Sequence, residues 1–127
     1  MEHTWNWNGT EYPFDISESE SMARMCEALN ALRGDIGMLG GEAVSASDTL
    51  REQCQIIRRF FDTVLGEGVG ETICGTAYSA DAHTTAYMEF ILFVNTQVGA
   101  FREKVAAVEE KYMSRAADLE QAEAYGA

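Results

Sequence analysis

The stretch that decides the fold is AYMEFILFVNTQVGAFREKVAAVEEKYM, Ala86 to Met113. Within it Tyr87, Ile91, Val94, Val98, Phe101, Val105, Val108 and Tyr112 recur at alternating steps of four and three. Such steps return side chains to one face of an α-helix, and a repeat of seven sustained this long marks a coiled-coil seam. Arg115 interrupts the seam and Leu119 resumes it. The spacing predicts one helix over 79–122, opening near Ser79 or Asp81. From 81 to 122 it would be about 60 Å long. That exceeds the width of a domain of 127 residues, so its far half is expected to project. The last stretch, SRAADLEQAEAYGA, is Ala-rich and charged and is expected to fray without a partner.

Upstream, two shorter patterns share the same period. Met22, Met25, Leu29 and Leu32 form a stripe over 17–34, with Ser17 and Glu20 at capping-box spacing and Gly34 as a stop. Leu50, Cys54, Ile57, Phe61 and Val64 form another over 47–65, starting at Ser47 or Asp48. Between them, 35–46 is glycine-rich and reads as a flexible connection. The run LGEGVGETICG, Leu65 to Gly75, places a second glycine-rich segment at 66–78.

The N-terminus reads TWNWNGTEYPF, Thr4 to Phe14. Asn8-Gly9 favours a two-residue hairpin turn, since both residues tolerate positive φ. The resulting register puts Trp5, Trp7, Tyr12 and Phe14 on one face, with Trp5 opposite Tyr12 and Trp7 opposite Thr10. Pro13 cannot donate to a ladder, which makes its strand an edge. A lone hairpin is marginal in water; packing on the chain's own helices is the simpler expectation, and recruitment of a second subunit the alternative. The fold class expected is mainly α, a single domain with an N-terminal β-hairpin over 1–16 and about three helices, the last long and heptad-patterned.

The bulk numbers bound the function. Net charge is −12, from 21 acids and 9 bases. Phosphate backbones and anionic membrane surfaces are read by Lys and Arg, so neither nucleic acid nor membrane is an expected partner. The longest apolar run, YMEFILFV, is too short to span a bilayer, and MEHTWNWNGT carries no leader pattern. Three cysteines without a CxxC fit a reducing compartment, and the expected location is cytoplasmic.

Candidate chemistry is sparse. Gly66, Gly68 and Gly70 give GxGxG rather than GxGxxG, a helical pattern precedes them, and no Lys follows. Glu67 and Glu71 would repel a phosphate. The run reads as a helix stop at Gly66, in left-handed conformation, and a chain reversal, with Ile73 tucking back as an apolar plug. His3, His83, Cys26, Cys54 and Cys74 fall at no common zinc spacing. Cys26 and Cys54 read as core. A Cys74 nucleophile with His83 as base can be written down, but nothing orients the pair or forms an oxyanion hole. Arg51, Arg58 and Arg59 read as a solvated face paired with local acids. No catalytic residue, cofactor or metal is therefore expected, and the protein is not expected to be an enzyme. The partner-binding candidates are Ile91, Val98, Phe101, Val105, Val108 and Tyr112 on the seam, with Glu67 and Glu71 at the turn.

EYPFDISESESMARMCEALNAL, LREQCQIIRRFFDTVLGEGVGETICG and AYMEFILFVNTQ together resemble an uncharacterised family of small proteins encoded by tailed phages and prophages of Gram-positive bacteria, commonly near tail genes. The resemblance covers Tyr12 to Gln97. Its most specific piece is Phe60-Phe61-Asp62 followed by Gly66-Glu67-Gly68. It implies a tail assembly chaperone acting in the bacterial host cytoplasm. The client would be a phage tail protein, foremost the helical tape-measure protein, whose apolar stripes such a chaperone would cover without catalysis. The acidic surface would favour basic client segments. The same features suit a structural tail or tail-completion component, and an acidic anti-defence inhibitor is a third class. A homo-oligomer through the seam is a further possibility.

Overall fold

The computed structural model describes residues 2–41 and 45–124. The chain is mainly helical, with an N-terminal two-stranded antiparallel hairpin and a long last helix. The hairpin strands are β1, Thr4–Trp7, and β2, Thr10–Pro13. Then come α1, Ser19–Gly37; α2, Ala46–Leu65; α3, Val69–Cys74; and α4, Ala80–Ala124. Residues 42–44 of the expected connection and 125–127 of the expected fraying end lie outside the described residues.

The hairpin register is the one the turn chemistry requires. Trp5 pairs with Tyr12 and Trp7 with Thr10. Asn8 and Gly9 both have positive φ, 49° and 80°, as the tight primed turn demands. The aromatic face packs on the chain's own helices. Trp5 stacks on Phe61 with centroids 6.0 Å apart and meets Phe90 edge-on at 5.1 Å. Phe14 meets the same Phe90 at 5.4 Å, and Phe60 meets Tyr87 at 5.1 Å. Edge-to-face geometry places a positive ring edge on a negative face, which adds to the gain from burial.

α2 is the central helix: α1, α3 and α4 all pack against it. Its buried side chains are Cys54, Ile56, Ile57, Phe60, Phe61 and Val64. Leu50, read as part of that stripe, is exposed, as is Met22 on α1. Both lie in the first turns of their helices, outside the core cluster. Cys26 is also exposed, while Cys54 is buried as expected.

Three boundaries differ from the sequence reading. Ser17 does not cap α1, because its N–H and hydroxyl both donate to Asp15 Oδ1, and Glu18 takes the capping position instead. Gly34 does not stop α1, which runs to Gly37. A glycine inside a helix costs only about 1 kcal/mol, too little by itself to end one. The segment 66–78 is not wholly a turn, since it contains the six-residue α3. Helix α2 does end at Gly66, but with φ 132° and ψ 154°, a glycine-type extended conformation rather than the left-handed helical one.

α4 changes character along its length. His83, Ala86, Phe90, Val94 and Gln97 are buried. From Phe101 to Glu120, every side chain described is exposed. At about 1.5 Å per residue, the helix from Phe101 to Ala124 runs some 35 Å past the last buried side chain's turn.

Candidate functional site

Gln97 sets where the domain ends on α4. Its Oε1 accepts from the Ile16 N–H at 3.0 Å, and its Nε2 donates to the carbonyls of Phe14 at 2.6 Å and Glu2 at 2.7 Å. One side chain thus satisfies the backbone where the hairpin turns into α1. Nothing in its residue type announced this. Its position does: Gln97 lies three residues after Val94 and four before Phe101, on the face the core uses.

The same face continues outward as Phe101, Val105, Val108 and Tyr112, at steps of four, three and four. Their exposures are 41, 37, 59 and 75%. Of the seam residues expected to bind a partner, Ile91 and Val98 are half-buried and pack against the chain's own core. They are shoulders of the buried stripe and not free surface. Val108, Lys111, Tyr112 and Arg115 line a shallow recess on the exposed half.

Glu67 and Glu71 are exposed at the opposite end of the molecule. α3 lies beside the opening of α4, where Thr72, Ile73, Cys74 and Gly75 share a cleft with Asp81, Ala82 and Thr85. From Asp81 to Phe101 is about 30 Å along the helix. The two sets of candidates therefore do not form one site.

The glycine-rich run holds itself together. Asp62 Oδ1 accepts from the Gly70 N–H at 2.7 Å, so the start of α3 is already faced by a carboxylate of this chain. Gly68 precedes α3 with φ 83°. Gly70 touches α2 backbone to backbone: a Cβ there would stand 2.3 Å from the Arg58 carbonyl oxygen. Ile73 is buried as the expected plug, and its carbonyl accepts from Trp7 Nε1 at 3.1 Å.

Arg58 closes the other end of α3. Its Nη2 donates to the carbonyls of Gly75 at 2.8 Å, Thr76 at 3.2 Å and Ala77 at 3.4 Å. Its guanidinium lies 4.4 Å from the Tyr78 ring centroid, with Arg51 also over that ring at 5.2 Å. Arg24 likewise donates to the Val64 carbonyl at the end of α2. Of the three arginines expected to pair with local acids, only Arg59 does so among the described residues, with Asp35 at 3.4 Å.

Arg58 Nε also donates to His83 Nε2 at 2.9 Å, while His83 Nδ1 lies 2.7 Å from the Ser79 carbonyl. The pairing requires Nδ1–H to donate to Ser79 and Nε2 to accept, which is the neutral ring. Burial lowers the His83 pKa, with Arg58 adding to the effect and the Ser79 bond opposing it. Cys74 is buried, and burial pushes its thiol up to about 11, so it stays protonated at neutral pH. Both ring nitrogens of His83 are thus engaged with groups other than this thiol. Among the described residues, no three of His, Cys, Asp and Glu are placed to hold a metal ion, and no helix is long and apolar enough to cross a membrane.

These features define a class: a small helical domain with an aromatic hairpin clamped on its core and a terminal helix that runs on alone. The chain belongs to the family described as "Family of unknown function (DUF6673)", whose pattern matches residues 8–124 and so takes in the projecting half of α4. No curated protein and no solved structure matches it.

Proposed function

We propose that the protein is a non-catalytic binder that covers an apolar helical segment of another protein. The observation that carries this is the row Phe101, Val105, Val108 and Tyr112, exposed on a helix that the domain holds only as far as Gln97. Apolar side chains at heptad spacing gain free energy by packing into a facing helix. The exposed row continues a face that is fully packed a few residues earlier, so the helix is already oriented and held when a partner arrives. Little ordering entropy then opposes docking.

The residues quoted above for the tailed-phage and prophage resemblance favour one setting for such a binder, tail assembly in the bacterial host cytoplasm. There the protein would act as a tail assembly chaperone, with the tape-measure protein as client.

The test is co-expression with the tape-measure protein encoded in the same genome, with and without Val105→Glu/Val108→Glu. The expected result is a soluble complex with the parent chain and at least a tenfold loss of recovered complex with the double variant, roughly 1.4 kcal/mol. A client equally insoluble with and without the parent chain refutes the proposal. Mass spectrometry of purified virions separates a chaperone, absent from them, from a tail component.

A further inference from the structure

The charge along the exposed face says which helix it takes. The chain as a whole is strongly acidic, with 9 bases against 21 acids. Four of those bases lie along the exposed row. Lys104 and Lys111, seven apart, directly precede Val105 and Tyr112 and form one edge. Arg115 occupies the next seam position after Tyr112. The opposite edge carries Arg102 and Glu109, also seven apart. Glu103 and Glu110 fall on the far side of the helix, away from the row, and Asp118 ends the basic edge beside Leu119.

Within the domain, Arg24 and Arg58 are engaged with helix-end carbonyls, Arg59 with Asp35 and Arg51 with the Tyr78 ring, while Arg33, exposed on α1, forms no ion pair among the described residues. Arg102, Lys104, Lys111 and Arg115 form no ion pair among the described residues. Lys104 reaches the domain only weakly. Behind the Ser17 hydrogen bond and His3, it helps hold Asp15 below the usual carboxylate range. Of the five bases left without such a partner, four thus lie along the exposed apolar row.

A second copy of this chain suits the face poorly. In a parallel pair the two domains, each seated on the seam side of its own α4, would collide. In an antiparallel pair that layers Phe101 on Tyr112, Lys104 meets the partner copy's Lys111 twice on one edge, while Arg102 meets its Glu109 twice on the other. Shifting the pair by one heptad opposes Glu109 to Glu109 and Lys111 to Lys111, and gains two Lys104–Asp118 pairs. Neither register sets opposite charges together along both edges, so a second copy is less complementary to the Lys104–Lys111 edge than a helix that brings acids to it.

We propose that the occupant is an amphipathic helix of a different protein whose apolar stripe is edged by Asp and Glu. This rests on the docking role proposed above and specifies its partner; the local charge selects the sign opposite to the one the chain-wide charge favours.

Two labelled helical peptides of about three heptads, sharing one apolar stripe and edged with Glu in one and Lys in the other, are titrated with the full chain by fluorescence anisotropy. The Glu-edged peptide is expected to bind about tenfold more tightly at low salt. The gap should close near 1 M salt, where charges are screened within about 3 Å. Lys104→Glu/Lys111→Glu is expected to invert the preference. Equal binding, or tighter binding of the Lys-edged peptide, overturns the acidic-edge proposal while leaving a helix-docking face. Failure of both peptides to bind overturns the docking role and this proposal with it. Sedimentation that finds a dimer at assay concentration, dissociated by Val108→Glu, makes a second copy the occupant and also overturns it.

Discussion

Gly70→Ala tests how α3 is held. The added Cβ would stand 2.3 Å from the Arg58 carbonyl oxygen, 2.7 Å from its Cα and 2.8 Å from its carbonyl carbon, where ordinary contact begins at 3.4 Å. The obstacle is backbone in the middle of α2, so no rotamer change relieves it. α3 must retreat by about 1 Å, a strain of the kind that costs about 1–3 kcal/mol. The retreat also stretches the charge-assisted bond from the Gly70 N–H to Asp62, now 2.7 Å, and the bond from Trp7 to the Ile73 carbonyl, now 3.1 Å. Losing the first alone costs about 1.5–3 kcal/mol. Against this, alanine gains about 1 kcal/mol of helix propensity over glycine. The net expectation is a loss of about 3 kcal/mol, or about 10 °C in Tm for a domain of this size. Thermal melts followed by far-ultraviolet circular dichroism read it directly. Gly34→Ala is the control: Gly34 lies inside α1 with nothing within 4 Å of the added Cβ, so its Tm should rise by a few degrees. If Gly70→Ala melts with the parent or above it, the close approach of α3 and α2 is wrong.

Two further substitutions probe the buried polar groups. Gln97→Leu keeps the volume but leaves the Ile16 N–H and the Phe14 carbonyl unpaired, which should lower stability by about 3 kcal/mol in urea unfolding; an unchanged midpoint would remove Gln97 as the joint between hairpin and α4. For His83, burial sets the folded pKa below its unfolded value near 6.5, so the unfolded chain takes the proton first. Stability is therefore intact above that pH and falls as pH drops through it. His83→Gln should flatten the Tm profile below about pH 6.5, and a slope equal to the parent's would show that another group is responsible. The Asp15 carboxyl, held low chiefly by its bond from Ser17, acts in a separate window: its contribution is lost as pH falls below 3.8.

The parts of the fold legible in the sequence are those set by local chemistry or by long repetition. Asn8-Gly9 fixes the turn, and the turn fixes which aromatics share a face, because strand side chains alternate strictly. The seam of α4 repeats long enough to make the helix unmistakable. Helix α3 was not legible, since six residues cannot show a period. Nor was the role of Gly70, because a close backbone approach depends on what lies opposite, and Arg58 is twelve residues away in sequence. The seam also concealed its own division. Heptad spacing is the same on both sides of Gln97, yet inside the domain the packed centre is Phe90, Val94 and Gln97, with Ile91 and Val98 at its margin. The sequence pattern marks an apolar face; only the placement of the hairpin tells where that face stops being core.

That division makes the functional tests separable from stability. The aromatic cluster, the Gln97 joint and the Asp62–Gly70 and Arg58–carbonyl bonds all lie on the domain side of Phe101. The exposed row contributes no buried side chain to any of them. Substitutions at Val105, Val108, Lys104 or Lys111 should therefore change Tm by little, since exposed positions away from such features stay within about 0.5 kcal/mol. A loss of binding there is a loss of contact and not of fold. Conversely, Gly70→Ala and Gln97→Leu act on the domain, and the exposed part of α4 feels them only through the unfolding of its support. A helix of this length holds its shape weakly when isolated. Its first five turns, packed against α2 and the hairpin, supply the nucleus from which the exposed turns extend. The domain is then best understood as the clamp that keeps one apolar face of α4 formed, oriented and open.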